Sequence, residues 1–211
     1  MQIMVLADAM IEQEFRNKKL NQGIKVIFIE NQSSLLNNEI NYDNIDSFFL
    51  LEEAINKDTY RVFGTKPVFI NSTIHTLSEL DLPGNFNRIN GWSTFINRDI
   101  WEIATSHKEI VNTIFQKMGW KYITVADEPG LVSARIISMI INEAYFALGE
   151  GVSSKDEIDI AMKLGTNYPY GPFEWAKKIG LKKVYSLLQK LSETNNSYTI
   201  APEMKNELLT D

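Results

Sequence analysis

Cysteine is absent and histidine occurs only at His75 and His107, so the chain holds no thiolate nucleophile and two side chains that titrate near neutrality unaided. His75 stands two residues from Thr73 in the polar segment Asn71-Ser72-Thr73-Ile74-His75, where an imidazole could exchange a proton with an oxygen held nearby. The commoner place for a lone histidine in a polar loop is the surface. The first apolar run, MQIMVLA, leads into Asp8, Ala9, Met10, Ile11 and Glu12, and no glycine occurs between Met1 and Gln22. A turn that cradles phosphate needs bare backbone N–H groups, and here each position carries a Cβ while Asp8 and Glu12 add negative charge. Glu30 follows the second apolar run, IKVIFI, as a carboxylate at a strand end. Lys155, Lys163 and the pairs Lys177-Lys178 and Lys182-Lys183 could meet a phosphate, or equally could line solvated helix faces. No metal site is assigned.

Those residues need elements to hold them. Residues 1 to 7, 24 to 29, 45 to 51, 67 to 70 and about 87 to 96 are short apolar runs, with a helical segment at 9 to 20, a polar turn region at 31 to 44 and a short helical stretch at 52 to 66 between them. This alternation predicts a parallel sheet covered on both faces, and it resembles a shortened Rossmann-type domain. A last strand, KYITV, is expected before the chain turns helical, giving domains of 1–126 and 127–211. Pro129 behind Asp127 and Glu128 marks a helix start. From Leu131 to Leu148 apolar residues cover more than one helix face, which requires burial against other helices or another subunit. Ser154 and Glu157 have capping-box spacing, Gly165 is expected to stop that helix, and Pro172 after Gly171 starts another that Gly180 ends.

With 211 residues and 44% hydrophobic content the chain can bury one or two cores. The net charge of −6 and the lack of a basic stripe argue against nucleic acid as a partner. No apolar stretch is long enough to span a bilayer, and a cytoplasmic, cysteine-free protein without membrane partners is expected.

The strings Asn142-Glu143-Ala144, GEGVSSKDEID, AMKLG and YPYGPFEWAKKIGL arrive in an order that resembles the C-terminal domain of the 3-hydroxyacyl-CoA dehydrogenases. The resemblance implies α/β plus all-α architecture: a shortened Rossmann-like parallel-sheet domain followed by a helical dimerisation domain of the 6-phosphogluconate dehydrogenase C-terminal type. It also implies NAD as cofactor, an acyl-CoA ligand and a homodimer formed by the helical domain. Aromatics Tyr145, Phe146, Tyr168, Tyr170, Phe173 and Trp175 would then sit in core, interface or cleft, with core or interface favoured by their helical spacing.

Carried over position by position, the family's site is incomplete here. Ala7, Asp8 and Ala9 replace the Gly-rich turn, and Glu30 takes the place of the acid that holds the adenosine ribose. Thr73 retains a hydroxyl at the family's serine position. In INGWSTFINRDIWEIA, Ser93 falls on the histidine and Glu102 on its paired glutamate, and in PGLVSAR Ala134 falls on the asparagine. A missing general acid–base costs about 10²- to 10⁴-fold and a missing polarising donor about 10²- to 10³-fold. The resemblance therefore implies a relative of fatty acid or hydroxybutyrate metabolism with weak or lost hydride transfer, acting as a dimeric acyl-CoA or protein binder. The alternatives are an unorthodox active oxidoreductase using Thr73 and Glu102, and a pure dimerisation module.

Overall fold

The structure is a computed structural model that describes residues 1–36, 40–52 and 56–210, which fall into two compact units, Met1–Leu131 and Val132–Asp211. In the first unit the strands are β1 (Gln2–Leu6), β2 (Lys25–Ile29), β3 (Ser47–Leu50), β4 (Val68–Asn71), β5 (Phe86–Ile89), β6 (Ile100–Ala104) and β7 (Lys121–Thr124), in the order β2-β1-β3-β4-β5-β6-β7. Pairing is parallel from β2 through β5. It becomes antiparallel between β5 and β6, and β6 and β7 are parallel to each other. The expected parallel sheet is present from β2 through β5, and the reversal at β6 adds an antiparallel pair to it. The run expected at 87 to 96 holds β5 alone, because the chain turns through Gly91 to Phe95 and returns as β6, whose residues give no clean alternation.

Both faces of the sheet are buried. On one side Phe15 of α1 (Ala9–Arg16) and Phe115 of α3 (Lys108–Met118) meet Phe49, Phe69, Trp101 and Trp120, with ring centroids 4.7 to 6.4 Å apart. On the other, Phe48, Phe63 and Phe86 pack with Leu35 and Ile45 under short 3₁₀ turns at 32–36, 42–44 and 57–62. Each buried aromatic contributes roughly 1.5–3 kcal/mol of transfer free energy, so most of the sheet's stability comes from these two layers. Of the polar turn region expected at 31 to 44 and the short helical stretch expected at 52 to 66, residues 37–39 and 53–55 lie outside the described residues.

Residues 127–131 belong to the sheet unit. Arg88, wholly buried on β5, donates from Nη1 to Asp127 Oδ1, from Nε to Ser72 O (2.8 Å) and from Nη2 to Glu128 O (3.2 Å). Asp127 in turn accepts from the backbone N–H of Leu77 at 2.9 Å, at the start of the short helix α2 (Leu77–Leu80), and Gly130 N donates to Thr73 O at 2.6 Å. Asp127 and Pro129 therefore do not open a helix. The chain turns through Gly130 and Leu131 in left-handed conformation, and α4 begins only at Ser133.

The second unit is helical: α4 (Ser133–Gly149), α5 (Lys155–Thr166), α6 (Pro172–Ile179), α7 (Leu181–Ser192) and α8 (Pro202–Thr210). In α4 the buried set is Ala134, Ile137, Ser138, Ile141, Asn142, Ala144 and Tyr145, while Ile136 is 53% exposed, so one broad stripe is covered and the helix is not buried on every side. Asn142 has a structural task, its amide donating to Thr199 O at 2.8 Å and accepting from Ala201 N at 2.9 Å, which pins the chain entering α8. Ser154 and Glu157 form the expected capping box. Gly165 does not stop α5; the helix runs through it and ends at Asn167 in left-handed conformation.

The start of α6 is capped from a distance. Asp159 of α5 accepts from Phe173 N (2.8 Å) and Glu174 N (3.0 Å), and it comes so close to Gly171 that a Cβ there would lie 2.3 Å from Asp159 Oδ1. Glycine is therefore required at 171 by the approach of the cap. Burial pushes the Asp159 carboxyl up, opposed by the two backbone N–H bonds. The folded state thus holds this proton more tightly than the unfolded chain does, and the carboxyl's contribution to stability falls as pH rises through its raised pKa. Asp159→Ala leaves two first-turn N–H groups without acceptor and should cost about 1–3 kcal/mol, read as a lower melting temperature. Gly171→Ala should cost at least as much, and a neutral result for both would rule out the cap.

Candidate functional site

The ends of β1, β2 and β3 lie side by side, since Leu6 pairs with Ile29 and with Leu50. Three carboxylates follow those strand ends, Asp8, Glu30 and Glu52. In a parallel α/β sheet this carboxyl edge is where ligands enter, and the turn after the first strand is where a dinucleotide's phosphates meet a helix N-terminus. Asp8 occupies that position itself. As N-cap of α1 its Oδ1 accepts from Ile11 N at 2.9 Å, and Ala7 N is taken by Ile29 O at 3.2 Å. Glu12 points along the helix, paired with Arg16 at 2.6 Å. Glu30 is exposed one residue beyond β2, beside the turn, as an acid that could hold a ribose must be. Glu52, whose Oε2 accepts from Gln32 Nε2 at 3.2 Å, carries a third charge into this edge that the sequence reading missed. The residues present do not fit a dinucleotide pyrophosphate: the helix-end N–H is already capped by a carboxylate, and two more flank it.

Further along the edge, Asn71 closes β4. Its Nδ2 donates to Leu51 O at 3.0 Å, and its Oδ1 accepts from Gly91 N at 2.9 Å. A Cβ on Gly91 would fall 2.7 Å from Asn71 Cβ, so glycine is needed for the two segments to touch. Thr73 comes next, buried, with its Oγ1 bonded to nothing and a cavity of about 40 Å³ lined by residues 71 to 75. A buried hydroxyl without a partner is costly unless a water or ligand oxygen satisfies it.

Ser93 and Glu102, aligned with the family's histidine and glutamate, serve other partners. Ser93 Oγ donates to Glu14 Oε1 of α1 at 2.5 Å, and the same carboxylate accepts from Thr94 N at 2.9 and 3.0 Å. Thr94 sits at φ +74°, a left-handed conformation that this three-bond grip holds in place. Glu102 lies on β6, and its charge acts on Arg98, whose guanidinium covers the Phe95 ring at 4.0 Å. His75 is exposed, with Nδ1 4.0 Å from Glu79 Oε2, and exposed His107 precedes α3 beside Gly84. Ala134 is buried in the first turn of α4, in the second unit.

In the helical unit three of the candidate lysines are engaged. Lys155 pairs with Glu207 (2.5 Å) and lies over the rings of Tyr145 and Phe173, Lys163 pairs with Glu174 (2.5 Å), and Lys178 covers Tyr170 at 4.8 Å. Tyr145, Phe173 and Trp175 are core, and Tyr168 and Tyr170 lean on Trp175 at its edge. A cleft of about 570 Å³ opens between α4, α5, α6 and α8, lined by Tyr145, Phe173, Lys155, Lys177 and Glu207 among others. No group of three or more His, Asp or Glu side chains able to hold a metal occurs among the described residues, and no helix of theirs is long and apolar enough to cross a membrane.

A parallel α/β sheet with an antiparallel pair at one side, followed by an all-helical unit, is the architecture of the Rossmann-like dehydrogenases that carry a helical C-terminal domain. Residues 130–210 match the 3-hydroxyacyl-CoA dehydrogenase C-terminal domain family. The chain is 46% identical over 76 residues to the 3-hydroxyadipyl-CoA dehydrogenase of Escherichia coli K12, covering 36% of this chain and 16% of that protein. It is 30% identical over 149 residues to the 3-hydroxybutyryl-CoA dehydrogenase of Clostridioides difficile, covering 69% of this chain and 53% of that protein. Thus the chain spans about half the length of that relative and less of the first. A crystal structure of (S)-3-hydroxybutyryl-CoA dehydrogenase from Ralstonia eutropha superposes with TM-score 0.73 at 20% identity, over 99% of this chain and 93% of that one, a likeness of fold. The helical unit thus belongs to the 3-hydroxyacyl-CoA dehydrogenase C-terminal domain family, and the chain as a whole is similar to the dehydrogenases that carry it.

Proposed function

We propose that this chain binds an acyl-CoA as a dimer while its NAD-dependent hydride transfer is weak or lost. The observation that carries the reading is Asp8 capping α1, with its carboxylate on the N–H that a pyrophosphate oxygen would need. Two like charges about 4 Å apart repel by roughly 4 kcal/mol at an effective dielectric of ~20, about three decades of affinity. The hydroxyl at Ser93 is committed to Glu14, so no proton carrier stands at that position. Dimerisation through the helical unit is supported by Ile160 and Leu164, one turn apart on α5 and 53% and 83% exposed.

A second reading, an unorthodox active dehydrogenase, is favoured by Thr73, whose buried hydroxyl waits for an oxygen ligand. One preparation separates the two. NADH fluorescence titrated to high micromolar should show no saturation, acetoacetyl-CoA at millimolar concentration should raise the melting temperature by several degrees, and sedimentation should give twice the chain mass. Saturable NADH binding with turnover of the ester would replace the binder reading by the enzyme reading. No melting shift would leave a dimerisation module, and a monomer would remove the dimer.

A further inference from the structure

The strongest feature outside that site is a cleft of about 450 Å³ lined by Asn17, Lys18, Lys19, Asn97, Asp99 and Trp120 with its neighbours in the sheet unit. Lys18, two residues past the end of α1, is half-buried there. Its ammonium donates to Arg98 O at 2.7 Å and rests on a stacked indole pair, 5.2 Å from the Trp101 ring and 5.0 Å from that of Trp120, whose centroids are 5.4 Å apart. Trp120 is fixed in turn, its Nε1 donating to Lys19 O at 2.8 Å. The charged groups lining the cleft beside Lys18 are Asp99, whose charge favours the ammonium form, and Lys19 and Lys121.

We infer that Lys18 is a built acylation site, at which an acyl thioester or acyl phosphate reaching this cleft transfers its acyl group to the ε-amine. The half-open cleft admits the acyl donor, and the indole wall with the Arg98 carbonyl holds the nitrogen in one place. Burial lowers Lys18 from the usual lysine value to about 8, so near pH 8 about half of these amines are neutral, against well under a hundredth for an ordinary lysine. The step balances without a redox partner. Lys18 first loses a proton to water, and the free Nζ attacks the carbonyl carbon. The C–S (or C–O) bond then breaks, and the thiol or phosphate leaves with the second proton from nitrogen. The product amide carries no charge, so both contacts with the indole faces are lost and tryptophan emission should change with them.

The test uses acetyl phosphate on the whole protein at pH 8, with acetyl occupancy at each lysine read by tandem mass spectrometry at early times. Lys18 should be modified on the order of tenfold faster than Lys19 and Lys121, and the preference should vanish in 8 M urea. Equal or slower modification of Lys18 in the folded protein would overturn the inference. A preference that persists in urea would overturn it too, by tracing the effect to local sequence. The probe needs neither NADH nor a CoA ester, so the result stands apart from the proposed function.

Discussion

Asp127→Ala should destabilise the sheet unit by about 2 to 4 kcal/mol. Arg88 is completely buried, and its guanidinium bonds the Asp127 carboxylate. Removing one partner of a buried pair strands a charge in a medium that cannot solvate it, a loss of ~3–5 kcal/mol when both groups are deep. Asp127 is 31% exposed, so solvent screening lowers that range by about 1 kcal/mol. Burial alone already draws the Arg88 guanidinium down, with the Asp127 bond as the main opposing influence. At about 2–4 °C per kcal/mol for a chain of this size, the melting temperature should fall by roughly 5–15 °C. The double variant Arg88→Met with Asp127→Leu should recover much of that, because replacing a whole buried pair by apolar side chains is far cheaper than halving it. If Asp127→Ala melts within a degree or two of the parent, the clamp carries no weight. Nearer the site, losing Asp127 also frees Leu77 N and loosens the segment that holds Thr73.

Arg88 shows how the sequence was legible and where it was not. Apolar runs located β1, β3 and β4 because strands buried on both faces have to be largely apolar, and the capping spacings at Ser154 and Pro172 located α5 and α6 because those residues act within one turn. Pairings across the chain left no such mark. A lone arginine inside FNRI signals a buried partner, but nothing local says that Asp127, 39 residues on, is that partner. Pro129 was misread as a helix start for that reason. Gly165 was expected to break a helix that propensity alone tolerates, and Asn167 supplies the actual stop. At the site, the absent glycines were visible at once, whereas the grip of Glu14 on Ser93 and Thr94 depends on how α1 meets a turn some 80 residues away. Glu102 aligned with the family's glutamate, yet the carboxylate that reaches Ser93 comes from α1.

That geometry sharpens what a restored dehydrogenase would require. Ala7→Gly, Ala9→Gly and Glu12→Gly together should improve NADH affinity only modestly, because Asp8 still caps α1. Adding Asp8→Ala should bring the larger gain, about 10²- to 10³-fold in Kd, by freeing Ile11 N for a phosphate oxygen and removing the nearest negative charge. The cost falls on α1. Glycine at 9 and 12 costs about 1 kcal/mol each inside a helix, the lost cap about another, and the Glu12–Arg16 pair disappears. A melting curve must therefore show each variant folded before its titration counts. Turnover needs more. With Ser93→His and Ala134→Asn added, dehydrogenation of a 3-hydroxyacyl-CoA should rise from near zero by several orders of magnitude. An imidazole at position 93 would meet the Glu14 carboxylate, which already reaches this position and can orient it as an acid–base group. Glu14→Gln in that background should then remove most of the gain while leaving NADH affinity unchanged. If activity instead survives Glu14→Gln and is lost with Glu102→Gln, the pairing is with Glu102 and α1 has no part in it. If the Asp8→Ala set binds NADH no better than the parent, the carboxylate at the helix end is not what excludes the dinucleotide.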